Sequence, residues 1–286
     1  MTTVNPPAPA EAEVVTISID SPQGAKVWEE TAPEVKEHLR KFGMARPGFR
    51  LGIHDKLMFD ESPSHQGQRD PHRQDPLHPY QAGTIYIMGK LSLLPRDPKP
   101  QILDIGSPIE TTIAICAYGD VTKIDVRPWA YLESLMPFQS LTSNATAISI
   151  EGQRADVIVS NCVMCHVGDG RYGDPLDVDG DVNMLRECRR ILKPGGQLIL
   201  GLGPVGTEAS LRFNTHRVYS EEWAKRLFKW AGLRLMDFWA YDPNNGAWHT
   251  PDLMKPTIPG RADYYGFATL LKPVVQEIQE AVQSGL

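Results

Sequence analysis

Two histidines are placed to take a proton from an acceptor. His166 stands in NCVMCHVG, directly after the apolar run ADVIVSN, and His216 stands in FNTHRVY. Imidazole is the side chain whose ordinary pKa lies nearest neutrality, so either ring could deprotonate a hydroxyl or an amine. Each also has a plainer reading, in which the ring shapes its own loop by bonding backbone. Between them runs GRYGDPLDVDGD at residues 170–181. Arg171 and Asp174 there supply a guanidinium fork and a carboxylate that together can grip a polyhydroxylated substrate.

Two other clusters suggest chemistry and then fail to support it. Asp174, Asp177, Asp179 and Asp181 are dense enough in oxygen to suggest Mg²⁺ or Ca²⁺, but the glycine-centred twelve-residue loop with its terminal Glu is absent. A turn at Pro175 fixed by Asp174 and a helix start supported by Asp181 explain them without a metal. Cys162, Cys165 and His166 spell C-x-x-C-H, the pattern of covalent haem attachment. That chemistry needs an exported or specially serviced chain, and the first fifteen residues carry no basic-then-apolar leader. No second ligand pair follows at zinc-finger spacing, so no metal is expected.

Composition bounds the remaining possibilities. With 286 residues, 41% hydrophobic and 22% charged, the chain can build one large α/β domain with additions. A formal charge of −6 argues against a nucleic-acid partner. No apolar run is long enough to span a membrane, and four cysteines are too few for a disulfide framework. These features point to a cytoplasmic protein acting on a small molecule, and they allow a homodimer.

The elements that must position the candidates follow from periodicity. Residues 1–12 read as a disordered tail and residues 13–98 as an N-terminal extension. Within the extension, residues 14–19 suit a short strand, residues 26–42 suit a helix interrupted near Pro33, and the polar stretch 60–81 suits a loop or lid. From residue 101 short apolar runs alternate with helical spacers, as in stacked βαβ units. Strands are expected at 101–105, 121–126, 145–150, 155–161, 197–203, 233–240 and 264–271. A helix is expected over 180–192, closed by Lys193-Pro194-Gly195-Gly196. A link at 241–260 could wall the same pocket, and residues 273–286 suit a terminal helix or tail. The fold class is therefore α/β, a doubly wound Rossmann-like seven-stranded sheet over residues 99–272.

These residues carry a resemblance. ILDIGSP at 102–108 and TKIDV at 122–126 resemble the first and second strand ends of class I S-adenosylmethionine-dependent methyltransferases. Residues 156–237 are similar to the DUF268 group, which shares GRYGDP (170–175), Gly180-Asp181, KPGG (193–196) and N-x-H-R-x-Y, here Asn214, His216, Arg217 and Tyr219. The chain departs from the general pattern where Gly106 is followed by Ser107, Pro108 and Ile109 rather than further glycines. It departs from the DUF268 group where Cys165-His166 replaces a Glu-His pair.

The resemblance implies a seven-stranded sheet whose last two strands form an antiparallel edge, and S-adenosylmethionine as cofactor. It implies cofactor contacts from Asp104, Gly106, Ser107, Asp125, Ile150, Glu151 and Asn161. Asp125 would accept two ribose hydroxyls, because an ionised acceptor makes strong hydrogen bonds, and Ile150 and Glu151 would lie near adenine. The catalytic candidates are His166, His216 and Asp174, and the substrate candidates are Arg171, Tyr172 and Arg217. The expected reaction is methyl transfer to an oxygen or nitrogen of a small polar, carbohydrate-related metabolite. Two alternatives stay open: a cofactor-free binding or partner protein on the same fold, and an enzyme using a nucleotide sugar.

Overall fold

The structure is a computed structural model that describes residues 17–18, 22–53, 77–129, 135–256 and 263–274. Its main sheet contains β3 (Gln101–Ile105), β4 (Asp120–Asp125), β5 (Phe138–Thr142), β6 (Ala155–Asn161), β7 (Leu192–Val205), β10 (Arg234–Asp242), β11 (Ala247–His249) and β12 (Tyr264–Leu271), ordered β11-β10-β12-β7-β6-β3-β4-β5. The order reverses beside β3, which opens a crevice at the carboxyl ends of β3 and β6, where α/β proteins bind ligands. Strands β3 to β7 pair in parallel, and β6 is buried almost throughout, with an apolar centre at Val157–Val159, because helices cover both its faces.

Helices α3 (Pro79–Leu91) and α4 (Ile109–Ile115) cover one face, where Ile87, Leu91 and Ile115 join Ile102, Val121 and Val159 in one apolar cluster. Helices α5 (Gly180–Ile191) and α6 (Glu221–Trp230) cover the other face through Leu185, Cys188, Leu227 and Phe228. The starts of α3 and α6 are locally encoded. Ser220 accepts a hydrogen bond from Trp223 N at 3.3 Å, and His78 forms a capping box with Gln81 ahead of Pro79.

The N-terminal extension is bound into the domain by a second sheet. Strands β1 (Ile17–Ser18) and β2 (Arg50–Ile53) pair in parallel, and β2 pairs in parallel with β8 (Ser210–Phe213), which turns back into β9 (His216–Val218). Helices α1 (Pro22–Glu30) and α2 (Pro33–Ala45) divide the expected 26–42 helix at Thr31-Ala32, as a proline at the first helical position requires.

Three expectations are corrected. The third parallel strand is β5 at 138–142, not 145–150. Residues 145–150 instead form an anchored turn, with Ile148 N donating to Glu187 and Arg190 donating to the Ile148 and Ile150 carbonyls. The last two expected strands do pair antiparallel with each other at one end of the sheet. Strand β12 lies between β7 and β10 and is antiparallel to both, so β10 runs with the parallel strands and the short β11 forms the rim. The KPGG turn does not separate a helix from a strand. Helix α5 ends at Ile191, and Lys193–Gly196 bulges within β7, where Lys193 pairs with Asp156 at 2.7 Å. Residues 79–91, partly assigned to the polar loop, are helix α3. The tail at 1–12, His65, Arg69, His72 and Arg73 of the insert, and residues 275–286 lie outside the described residues. Among the described residues no helix is long and apolar enough to cross a membrane.

Candidate functional site

The carboxyl ends of β3, β4, β5 and β6 are tied into one corner. Gly106 N donates to Ile124 O at 2.7 Å, and Ser143 N donates to Asp125 O at 2.9 Å. Gly106 turns the chain at a φ of 64°, in the left-handed region that suits a residue without Cβ. A Cβ there would also lie 3.0 Å from the Val163 side chain, so this glycine is required by packing as well as by the turn.

Asp104, Ser107 and Asn161 reach this corner but face inward. Lys123, fully buried, donates to Ser107 O at 2.6 Å and pairs with Asp104 at 3.4 Å, and Thr112 donates to the same Asp104 oxygen. Ser107 Oγ accepts from Asn161 N at 3.0 Å. The Asn161 amide donates to Tyr80 O and to Thr111, which fastens α3 over the end of β6. These three therefore build the corner.

Asp125, also buried, is the carboxylate that Arg127 and Trp129 of the following loop cover. Arg127 binds it with a fork, Nε to Oδ1 at 3.0 Å and Nη2 to Oδ2 at 2.9 Å, and Trp129 Nε1 reaches Oδ2 at 3.0 Å. Burial alone would raise its pKa, but the Arg127 bonds and charge outweigh burial and hold the carboxyl below its ordinary range. Ile150 and Glu151 are not brought here. The bonds from α5 fix them near its carboxyl end and the start of β6, at the opposite rim of the sheet. The loop after β5, at 143–147, lies beside Asp125 in their place, with Asn144 capping Thr146 N.

A second group gathers where the loop after β6 meets β9. His166 lies edge-on to Tyr172 with ring centroids 5.5 Å apart, and the Tyr172 ring lies 5.2 Å from the Arg127 guanidinium. Arg171 donates to the carbonyls of Asn214 and Thr215, so the GRYGDP loop is fastened to the turn before His216. His166 is pushed down to about 3, first by desolvation and then by the charge of Arg171 and the proximity of His216. It is neutral at physiological pH, and so low a pKa makes it a weak base. Asp174 accepts from Gly168 N at 2.6 Å and from Tyr172 N, which makes it a former of the loop.

Arg217, expected on the substrate, is fully buried instead. It pairs with Asp169 at 2.8 Å, donates to Val167 O, and lies 3.9 Å from Asp181. Arg46 of the extension binds Asp181 through both oxygens at 2.5 and 2.9 Å, and Tyr219 donates to Asp181 at 3.1 Å. Phe42 lies between the two guanidinium groups, 5.2 Å from Arg46 and 5.3 Å from Arg217. The Gly180-Asp181 and H-R-x-Y blocks thus form an internal ion cluster beneath the loop. Gly180 permits the crossing above it, since a Cβ there would stand 2.5 Å from Val167 O. Among the described residues no group of three His, Cys, Asp or Glu could hold a metal ion. The four cysteines are free thiols, and burial raises each of them.

The family described as "Caenorhabditis protein of unknown function, DUF268" matches residues 132–239, from before β5 to within β10. That match covers less than half of the chain. The matched residues include the GRYGDP loop, His166, His216 and, of the buried ion cluster, Asp169, Asp181, Arg217 and Tyr219, but not Arg46. Among solved structures, the chain is similar to a Burkholderia thailandensis 1,6-didemethyltoxoflavin-N1-methyltransferase solved with S-adenosylhomocysteine. That likeness is 15% identity over 68% of this chain and 78% of the other, with a TM-score of 0.50. A TehB-like SAM-dependent methyltransferase from Corynebacterium glutamicum matches 66% of this chain and 85% of its own at 21% identity, with a TM-score of 0.43. The comparison with curated proteins finds no match. The fold is the Rossmann-like fold of class I methyltransferases.

Asp125 and its surroundings fit the nucleoside part of such a cofactor. It stands at a strand end beside a glycine turn and its two oxygens can take side-by-side donors, a place now held by the Arg127 fork, so a ribose diol would bind there only in place of that fork. Sequence reasoning did not single out Lys123, Arg127, Trp129 or Tyr80. For Arg127 a signal was available: an arginine two residues after a strand-ending aspartate is within reach of its carboxylate.

Proposed function

We propose that this protein transfers a methyl group from S-adenosylmethionine to an oxygen or nitrogen of a small polar, carbohydrate-related metabolite. The observation that carries the reading is Asp125, a carboxylate at the end of β4, beside the Gly106 turn on a methyltransferase fold. The cofactor, when bound, supplies an electrophilic methyl group on a sulfonium. Asp125 would hold the ribose, the turn at Gly106 and Ser107 would face its amino-acid end, and the 143–147 loop would lie against the base. Arg171 and Tyr172 line the acceptor side. Of the two histidines, His216 is assigned the acceptor proton, because His166 is too weakly basic to take it. The net charge of −6 supports a free metabolite in the cytoplasm over nucleic acid or a membrane surface, with the protein acting alone or as a homodimer.

The occupied state of Asp125 favours a second reading, a cofactor-free binding protein on this fold. Calorimetric titration with S-adenosylmethionine and S-adenosylhomocysteine separates the two, using the wild type and Asp125→Asn. Ligand at a hundred times its dissociation constant adds about 2.7 kcal/mol of stability, so melting gives an independent check. Binding that is lost in Asp125→Asn supports methyl transfer. No binding of either compound, in the wild type or in any variant of this corner, leaves the second reading.

A further inference from the structure

Asp125 accepts four hydrogen bonds. Oδ1 takes Arg127 N at 3.1 Å and Nε at 3.0 Å, and Oδ2 takes Arg127 Nη2 at 2.9 Å and Trp129 Nε1 at 3.0 Å. A carboxylate offers about four lone-pair positions, so no acceptor capacity is left for two ribose hydroxyls. The Arg127 side chain is 22% exposed and that of Asp125 is 4% exposed, which puts the guanidinium on the solvent side of the carboxylate. Anything entering from solvent meets Arg127 before it meets Asp125.

In this same position the guanidinium already rests against two aromatic rings. Its carbon lies 5.2 Å from the Tyr172 ring and 5.9 Å from the Trp129 ring, within the range over which an aromatic face stabilises a cation. Tyr172 belongs to the GRYGDP loop and touches His166, so its ring is part of the acceptor side.

We infer that Arg127 is an internal competitor for the cofactor's ribose, bound to Asp125 in the empty site and displaced toward Tyr172 when a nucleoside takes the carboxylate. This rests on the reading of Asp125 given above. The fork stands in for the diol, so part of the intrinsic affinity for cofactor is offset by breaking the Asp125–Arg127 pair. Apparent affinity is reduced by the fraction of molecules whose carboxylate is free. Displacement places a guanidinium on the acceptor side only after the cofactor has entered, which makes Arg127 a positioning residue that orders binding, cofactor first.

The experiment is titration of S-adenosylhomocysteine into wild type, Arg127→Met and Arg127→Lys, each with a urea melt to confirm folding. Removing the competitor should tighten binding about tenfold in Arg127→Met. Arg127→Lys, which keeps the charge but not the fork, should fall between Arg127→Met and wild type. A purely structural arginine would not give tighter binding when removed, so the direction of the change is diagnostic. Equal or weaker binding in Arg127→Met overturns the competitor and leaves the cofactor reading standing. Binding in Arg127→Met with none detectable in wild type supports the competitor in its strongest form. No binding in any of the three overturns both.

Discussion

Replacing Arg46 with methionine should strand a carboxylate in the core. Arg46 lies on α2, and its guanidinium holds both oxygens of Asp181 at 2.5 and 2.9 Å, with neither side chain exposed above 1%. Methionine keeps much of the side-chain volume against Phe42 and Phe49 but removes the charge. Asp181 would retain Tyr219 at 3.1 Å and Val182 N at 2.8 Å, with Arg217 at 3.9 Å. Breaking one side of a buried pair costs about 3–5 kcal/mol, and the remaining donors put this case near the lower end, about 3 kcal/mol. For a chain of this size that corresponds to a Tm drop of roughly 6–12 °C. Urea unfolding followed by circular dichroism measures it, with the slope checked for two-state behaviour. The double variant Arg46→Met/Asp181→Leu removes both charges and should recover most of the loss. A single-variant cost under about 1 kcal/mol, or a double-variant cost equal to the sum of the two singles, would refute the claim that a coupled ion cluster underlies the GRYGDP loop.

Other outcomes follow from the same geometry. His38, buried on α2 and held down to about 4, and His166, held down to about 3, take up protons in the unfolded chain before they do in the folded one, so their contribution is full above about 6.5 and lost as pH falls. Asp169, raised to about 7 by burial, runs the other way above about 4, because the folded chain keeps its proton longer. Because two histidines oppose one carboxyl, the net expectation is a loss of stability as pH falls from 6 to 4, on the order of 1 kcal/mol per pH unit and read from urea midpoints, with a smaller loss in His38→Gln. Gly180→Ala pushes a methyl into the Val167 carbonyl and should destabilise by about 3 kcal/mol in the same assay; a neutral result would mean the crossing is loose. Under the methyl-transfer reading, His216→Ala should lower kcat at least about a hundredfold, while His166→Asn should change it much less. The reverse ranking, measured with any acceptor found, would exchange their roles.

The central strands were legible because burial on both faces leaves a nearly unbroken apolar run, as in Ile102–Ile105 and Val157–Val159. Strand β5 was not, because it lies at the rim of the sheet with half its residues open, and FQSLT shows little apolar pattern. The neighbouring ATAISI alternates as a strand should, yet Glu187 and Arg190 of α5 take its backbone groups. That one displacement puts Ile150 and Glu151 at the other end of the sheet from Asp125. Asp125 could be read from its place at a strand end, whereas the burial of Arg217 could not, since its partners Asp169 and Asp181 lie far off in the chain. Local spacing reports which side chains share a face of one element, and it does not report which charges meet across elements.

The small sheet has a consequence for synthesis. Strand β2 pairs residue by residue with β8, Arg50 with Ser210 and Ile53 with Phe213, so the first half of that ladder leaves the ribosome long before the second. At translation rates of about 5–20 residues per second, the interval is on the order of ten seconds. Throughout it Leu51 and Ile53, both buried in the finished protein, form an open apolar edge with unpaired amides. The nascent chain is therefore most exposed to mispairing while the main sheet is being made, and a ribosome stall before residue 210 would leave that edge open for as long as the stall lasts.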